Sequence, residues 1–383
     1  MSDELKPAPF ERAHGKLGFG AMRLPLLEDG SVDTAKFSQM VDAYLAAGFN
    51  YFDTARVYLK GQSETALAEC LTSRHPRDSY FLVDKLTGGC FERREDIRPL
   101  IESQLASCGV DYFDLYLMHA QSSQNYGKYR SCGAYEEAAR AKADGLMRHV
   151  GISFHDSAAM LERILADHPE IECVQLQLNY LDWDSPAVQS RACYEVCRAH
   201  GLPVMVMEPV KGGTLVNLPP NAARILEETG LGSDANAAAS LALRFAADHE
   251  GIEMVLSGMG SMQMVEGNIQ TFSPLKPLSP AEKDAISRIV EVIHAQHSVP
   301  CTACRYCTDG CPRHIPIPDI FACLNSARAY GASNGKFYYK SLTGNEGVGS
   351  ASDCVRCGKC EDVCPQHLPI RDLLAEAALD LES

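Results

Sequence analysis

The sequence has little of what a membrane-spanning or nucleic-acid-binding chain requires. Its 383 residues contain no apolar run that approaches the about 18 residues of a spanning helix. No membrane span is expected. The N-terminal MSDELKPAPF lacks the basic and apolar regions of a signal peptide, which leads to the expectation of a cytoplasmic chain. Positive charge is scarce: 35 Lys and Arg stand against 50 Asp and Glu, a formal charge of −15 at pH 7. Nucleic-acid binding draws on clustered cations that displace phosphate counterions, so no nucleic-acid partner is expected. Tryptophan occurs once, at Trp183. No Gly-x-Gly-x-x-Gly follows the first apolar strand, which removes the usual nucleotide signature of an open, doubly wound sheet.

What the chain does have is hydrophobic content of 46%, enough to bury one large domain and a smaller one. It also has sixteen cysteines, an unusual number for a reducing compartment. Cys70, Cys90, Cys108, Cys132, Cys173, Cys193, Cys197 and Cys323 are scattered without ligand spacing and read as small buried hydrophobes. The other eight form two runs. Cys301, Cys304, Cys307 and Cys311 precede Pro312, and Cys354, Cys357, Cys360 and Cys364 precede Pro365, each with the Cys-x2-Cys-x2-Cys-x3-Cys-Pro spacing of bacterial [4Fe-4S] ferredoxins. Thiolate sulfur suits iron, and short loops let three cysteines wrap one cluster while the fourth reaches elsewhere. The pattern predicts two [4Fe-4S] clusters. By the rule for two-cluster ferredoxins, Cys301, Cys304, Cys307 and Cys364 hold the first, and Cys354, Cys357, Cys360 and Cys311 the second. Two zinc sites or four disulfides are the competing readings of the same eight residues.

An internal repeat accompanies the runs. A shift of 53 residues carries Cys301 to Cys354, Pro312 to Pro365, His314 to His367, Pro316 to Pro369 and Asp319 to Asp372. Each copy continues into a helical pattern, PDIFACLNSARAY in the first and RDLLAEAALDL in the second. A small, mainly α-helical ferredoxin-like domain is expected over 279–383, beginning with a capping box at Ser279 to Glu282 that has Pro280 at the first helical position. The intervening GASNGKFYYKSLTGNEGVGSASD, rich in Gly, Ser and Asn, reads as a loop over the clusters.

Residues 1–278 have another rhythm, with short apolar strands alternating with amphipathic helical stretches. Eight strands can be read: LGFGAM, NYFDTA, YFLVDKL, FDLYLMHA, HVGISF, CVQLQLNY, PVMVMEPV and EMVLSGM. Eight such units predict a TIM (β/α)8 barrel, whose chemistry sits at the C-terminal ends of its strands. Polar residues gather there: Asp53 after the second strand, Tyr58 in the loop beyond it, Lys85 after the third and His119 after the fourth.

FDTARVY with a downstream SE, then DK, then LMH, resembles the aldo-keto reductase signature of Asp, Tyr, Lys and His across roughly residues 17 to 270. The resemblance implies reduction of a carbonyl compound, or oxidation of the alcohol, with NADH or NADPH. It makes Tyr58 the acid, Lys85 a cation that eases the phenol's proton loss, Asp53 the anchor of that cation, and His119 the group that orients the carbonyl. It further implies that Ser153 and Gln175 hold the nicotinamide carboxamide, although Phe154 and His155 stand where the family usually has Asn after the Ser. Met207 takes the place of an aromatic ring that stacks on the nicotinamide. Gly20 and Met22 after the first strand, and Glu208, Pro209, Gly212 and Gly213 after the seventh, join the cofactor set, while Ser257, Gly258, Met259, Gln263 and Asn268 match the adenosine end. The stretch after the eighth strand has neither Lys nor Arg for a 2′-phosphate, which leaves NADH and NADPH both open.

The clusters fit three roles: exchange of single electrons with a partner such as a ferredoxin or flavoprotein, a structural or oxygen-sensing role, or electron carriage by a chain whose barrel is mainly a docking scaffold. The substrate is expected to be a small carbonyl compound. Tyr126, Lys128, Tyr129 and Arg130 are candidates for its pocket or for contact with the cluster domain, and Trp183 reads more readily as loop packing than as a stacking surface.

Overall fold

The computed structural model describes residues 8–186, 188–232, 234–297, 299, 301, 305–330, 332–364 and 367–383. Eight parallel strands, β1 (Leu17–Gly20), β2 (Tyr51–Asp53), β3 (Phe81–Leu86), β4 (Phe113–Gln121), β5 (Met147–Phe154), β6 (Val174–Gln177), β7 (Val204–Met207) and β8 (Ile252–Ser257), close into a barrel in sequence order. The strands are largely buried because both faces are covered. Phe81, Val83, Leu115, Leu117, Met205 and Met254 fill the barrel interior, and Phe10, from the N-terminal segment, stacks against Phe81 at 6.4 Å. Helices α1 (Thr34–Ala46), α2 (Gln62–Leu67), α3 (Arg94–Cys108), α4 (Tyr126–Ser131), α5 (Ala134–Ala143), α6 (Ala158–Asp167), α7 (Ser190–Ala199), α8 (Pro220–Glu227), α9 (Ala235–Ala247) and α10 (Met262–Phe272) connect them. The eight-unit barrel expected from periodicity is the fold observed.

Helix α11 (Pro280–His297) starts as its sequence dictates: Ser279 N donates to Glu282 Oε2 at 2.7 Å, and Glu282 N to Ser279 Oγ at 3.3 Å. Its Ala285, Ile286, Ile289 and Ile293 share a core with Ile225 and Leu226 of α8 and Leu241 of α9. The helix is thus packed on the barrel while its far end leads toward the first cysteine run. Beyond it lie α12 (Tyr306–Asp309), α13 (Ile317–Tyr330), α14 (Ala332–Thr343), α15 (Lys359–Asp362) and α16 (Ile370–Leu381) around a separate core that includes Ile315, Ile317, Ile320, Phe321, Leu324, Ile370 and Leu374.

The 53-residue repeat is visible in the backbone. His314 and His367 take matching positive φ of 51° and 50°, and their amides donate to Cys311 O and Cys364 O at 3.1 and 3.0 Å. These two histidines serve turns. Asp319 and Asp372 each receive an arginine, Arg305 and Arg356 respectively, at 2.7 Å. The first cysteine loop is thereby tied to the start of α13, and the second to the start of α16.

One segment departs from expectation. Residues 332–343, read as loop from their Gly, Ser and Asn, form α14, because Gly335 is needed for packing rather than for a turn. A Cβ at Gly335 would lie 2.6 Å from Cys323 O and 2.7 Å from Ala327 Cβ, both on α13. Only glycine lets the two helices approach this closely. Gly335→Val is therefore expected to destabilise the chain by about 1–3 kcal/mol through overpacking, seen as a lower melting temperature, while Gly89→Ala, where nothing lies within 4 Å, leaves it nearly unchanged.

Candidate functional site

Asp53 ends β2 opposite Val83 of β3, so Lys85, two residues further along β3, shares the inward face with it. Lys85 Nζ donates to Asp53 Oδ1 at 2.6 Å, to Thr54 O at 2.7 Å and to Tyr58 OH at 3.2 Å. All three ammonium protons are used. Tyr58 opens a turn in which Leu59 and Lys60 take φ of 49° and 58°. His119 lies where the β4–β5 register shifts between Met118 and Gln121, with Ala120 at φ 50°. Such a bulge re-aims a side chain. The His119 ring stands edge-on to Tyr58 at 5.9 Å between centroids, and its Nδ1 shares a 2.7 Å hydrogen bond with Thr87 Oγ1. The structure brings the four residues singled out in the sequence into one cluster and adds Thr87, which no motif marked.

Burial sets the protonation states. It raises the Tyr58 phenol above its ordinary value of 10.0, with Lys85 pulling the other way and losing. The sequence led us to expect a phenol eased toward proton loss; the net direction is the reverse because desolvation outweighs the cation. Burial also opposes the Lys85 ammonium, but Asp53 and Tyr58 outweigh it and carry Lys85 to about 12. His119 is driven well below 6.5, by burial first and then by Lys85 and His155. Near neutral pH the site therefore holds a protonated phenol, a charged lysine and a neutral imidazole. It is equipped to give a proton to an oxygen beside Tyr58. Behind Lys85, Gln104 Nε2 donates to Asp84 Oδ1 at 3.0 Å and to Lys85 O at 3.1 Å, which braces the strand from the α3 side.

The residues expected to hold a nucleotide lie at the ends of β5 to β8 and of β1 and at the start of α10. Ser153 and Gln175 face each other across β5 and β6, and Gln175 Nε2 donates to Asp53 Oδ2 at 3.1 Å. The loop after β7 is tightly turned, with positive φ at Glu208, Lys211, Gly212 and Gly213, and Asn179 Nδ2 steadies it by donating to Glu208 O at 3.1 Å. Met207 is half-buried at the end of β7, and Pro209 follows Glu208 in the turn. Asn268 Nδ2 donates to Ser257 Oγ at 2.8 Å, and Ser261 caps α10, leaving the Met262 and Gln263 amides at an open helix start. Met259 is wholly buried in the barrel core. Met22 is exposed, and a Cβ at Gly20 would come within 3.3 Å of Ser257 O, so glycine keeps the ends of β1 and β8 close. A cation that the sequence reading missed reaches this region from the β1 loop. Arg23 pairs with Glu208 at 3.3 Å, and its guanidinium lies 3.4 Å from a Cβ built at Gly258 and 3.7 Å from one at Gly212. It comes from a different part of the chain than the 257–263 stretch, which is why inspection of that stretch alone could not find it.

The cysteine runs are brought together as well. Cys311 of the first run lines one cavity with Cys354, Cys357 and Cys360 of the second, backed by Ile315, Ile317 and Leu374. Four thiols around one space, with an apolar backing, fit an iron–sulfur cubane. Of the other set, Cys301, Cys307 and Cys364 pack on the same core, and Cys304 lies outside the described residues, as does Pro365. The scattered cysteines are buried, Cys90 excepted, as expected of small hydrophobes.

The β4-loop candidates for a substrate pocket point elsewhere. Tyr129 OH donates to Leu86 O at 2.5 Å, Tyr126 OH to Asp167 at 2.7 Å, Lys128 pairs with Glu92 at 2.9 Å, and Arg130 lies 3.9 Å from Asp167. These contacts all stay within the barrel domain. Trp183 packs against Tyr194, Phe245 and His249. It is loop packing.

Residues 16–291 match the model of the aldo/keto reductase family. The chain belongs to the aldo/keto reductase family. Residues 300–369 match a 4Fe-4S dicluster domain, so this is an aldo/keto reductase oxidoreductase that carries an iron–sulfur module. A Citrus sinensis (1S)-1,7-diacetoxy-luvungin A aldo-keto reductase is 26% identical over 68% of this chain and 82% of its own. Human aldo-keto reductase family 1 member C3 is 28% identical over 39% of this chain, which spans about half (49%) of that relative. Among solved structures, aldo-keto reductase AKR11C1 from Bacillus halodurans superimposes with a TM-score of 0.57 at 26% identity, covering 72% of this chain and 91% of its own. A Klebsiella pneumoniae aldo-keto reductase in complex with NADPH gives the same TM-score at 21% identity over 72% and 90%, a likeness of fold. Among the described residues, no helix of this aldo/keto reductase is long and apolar enough to cross a membrane.

The protonation states give a pH test. With Tyr58 raised above 10.0 and His119 below 6.5, neither group of the aldo/keto reductase barrel titrates near neutrality. The carbonyl-reduction rate is expected to stay flat from about pH 7 to about pH 9 and to fall only in alkali. A single ionisation with a midpoint near pH 7.5 would reassign the acid.

Proposed function

We propose that this oxidoreductase reduces the carbonyl of a small molecule, or oxidises the corresponding alcohol, using NADH or NADPH, at Tyr58, Lys85, Asp53 and His119. A bound nicotinamide supplies the hydride; the chain supplies the proton and the charge stabilisation. As negative charge grows on the carbonyl oxygen, Tyr58 gives it the phenolic proton, and the Lys85 ammonium at 3.2 Å stabilises the phenolate left behind. Asp53 holds Lys85 in place, and solvent restores the proton. His119, neutral, offers the oxygen a hydrogen bond without competing for its charge. The observation that carries this reading is the continuous Asp53–Lys85–Tyr58 line with a protonated phenol at its end.

Ser153 and Gln175 are assigned to the carboxamide, Met207 to the nicotinamide face, and Gly20, Met22, Glu208, Pro209, Gly212 and Gly213 to the nucleotide's middle. Ser257, Gly258, Met259, Gln263 and Asn268 are assigned to the adenosine end. Arg23 joins them as the cation beside Gly212 and Gly258, within reach of a phosphate. Two [4Fe-4S] clusters are assigned to Cys301, Cys304, Cys307 and Cys364, and to Cys354, Cys357, Cys360 and Cys311, the second set supported by its shared cavity. Bound clusters supply one-electron transfer, and a ferredoxin or flavoprotein is the partner class that uses it.

Tyr58→Phe is expected to lower carbonyl reduction by about 10²- to 10⁴-fold while nucleotide binding, followed by fluorescence, is retained; unchanged turnover refutes the assignment. Chain purified without oxygen is expected to hold about eight irons. Cys311→Ser and Cys354→Ser should each remove the same half of the iron and the same paramagnetic signal. If Cys311→Ser instead matches Cys301→Ser, the exchange of the fourth ligand between runs is wrong.

A further inference from the structure

Helix α14 of the cluster module reaches the barrel with a buried hydroxyl. Tyr338 OH donates to Gln177 Oε1 at 2.8 Å, and burial raises the phenol well above 10.0, so it keeps its proton and acts as the donor. The other end of the Gln177 amide is taken by Asp182, whose Oδ2 accepts from Gln177 Nε2 at 2.8 Å. Asn179 Nδ2 donates to the same oxygen at 2.7 Å, and Lys211 Nζ to Oδ1 at 2.5 Å. All five side chains are buried. A lost member therefore leaves its neighbour unpaired, because no solvent takes its place.

The far end of this chain of bonds is the loop after β7. There Glu208 and Lys211 take positive φ of 54° and 48°, a backbone region that persists in residues with a Cβ only where the surroundings hold it. Asn179 Nδ2 donates to Glu208 O at 3.1 Å, and Asp182 holds Lys211 by its ammonium. The turn so held carries Glu208, Pro209, Gly212 and Gly213, the residues assigned above to the nucleotide's middle. Without Tyr338 the Gln177 amide has no partner for its oxygen and is free to turn. That takes Nε2 away from Asp182 and loosens the carboxylate that anchors both Asn179 and Lys211.

The near end is tied to the cysteine runs. Two residues before Cys301, Val299 N donates to Asn325 Oδ1 of α13 at 2.6 Å; three residues before Cys354, Ala351 N donates to Tyr339 OH of α14 at 2.7 Å. Cys307 and Cys360 share a core with Tyr338 and Tyr339. Clusters held by these runs order the segments that place Tyr338, since ligand binding to a site absent from the unfolded chain is folding free energy. We propose that Tyr338 is a positioning residue for the nucleotide, through which cluster binding tightens the loop after β7 on NADH or NADPH. By linkage, bound nucleotide then strengthens the hold on the clusters by the same factor. The inference rests on the nucleotide assignment of that loop and adds a coupling between the two modules.

The test uses the full chain purified without oxygen, with NADH and NADPH each titrated by fluorescence. Tyr338→Phe keeps the ring and removes the hydroxyl; with its clusters loaded it is expected to bind nucleotide about five- to tenfold more weakly. The KM for nucleotide should rise by the same factor while kcat at saturating nucleotide and the carbonyl KM hold, a split that general loosening of the fold would not give. Gln177→Met, which removes the acceptor on the barrel side, should weaken binding at least as much, and adding Tyr338→Phe to it should weaken it no further. Wild-type chain should retain more iron against a chelator when nucleotide is present, and Tyr338→Phe should lose that protection. Unchanged nucleotide affinity in loaded Tyr338→Phe, full additivity of the two substitutions, or equal protection of iron in both chains overturns the coupling and leaves the reductase reading standing. Failure of the loaded wild-type chain to bind either nucleotide overturns both.

Discussion

The buried pair of Lys85 and Asp53 is the constraint around which the barrel's open end is arranged. Two charges removed from water are costly unless their geometry is good and their remaining bonds are filled, and losing one partner of such a pair costs about 3–5 kcal/mol. Here the pair sits at 0% and 3% side-chain exposure, so the strand register that aligns β2 with β3 must hold both in place. The same lysine then fixes Tyr58 and Thr54, and Gln175 completes the hydrogen bonds of Asp53. Three strand ends, those of β2, β3 and β6, are tied to one ammonium and one carboxylate. A phenol placed there is both desolvated and close to a cation, and desolvation prevails, so it keeps its proton.

A second buried polar chain joins the two modules. Lys211 Nζ pairs with Asp182 at 2.5 Å, Asp182 accepts from Gln177 at 2.8 Å and from Asn179 at 2.7 Å, and Gln177 accepts from Tyr338 of α14. Asn179 in turn holds the carbonyl of Glu208, whose side chain meets Arg23. The loop after β7 and the iron–sulfur module therefore lean on the same few side chains. Fully paired networks of this kind fix one arrangement, because breaking any member strands a buried polar group. Val188, from the loop after β6, lies in the core of the cluster module and adds an apolar pin to the same junction.

The cluster module shows how duplication solves a small domain's problem. Seventy or so residues bury little apolar area, and two related halves that share one core hold each other in place. Cys311 of the first half shares one cavity with Cys354, Cys357 and Cys360 of the second. The arginine bridges to Asp319 and Asp372 repeat it at the surface, though from loop positions that differ by two, so the copies are related without being identical.

Much was legible in the chain itself. Spacing alone marked the eight cysteines, because ligand geometry is local and a 53-residue shift is visible in letters. Alternating apolar runs gave the eight strands, and strand ends gave Asp53, Lys85 and His119, since a barrel's chemistry is bound to that edge. What the chain could not disclose depended on distant parts meeting. Gly335 looked like a turn until α13 lay against it, Arg23 carried no motif until the β7 and β8 loops closed beside it, and the direction of the Tyr58 shift followed from burial, a property no residue has alone. Periodicity and ligand spacing are written within a few residues of each other; desolvation, close approach and shared cavities arise between segments that only folding brings together, and only the folded chain decides them.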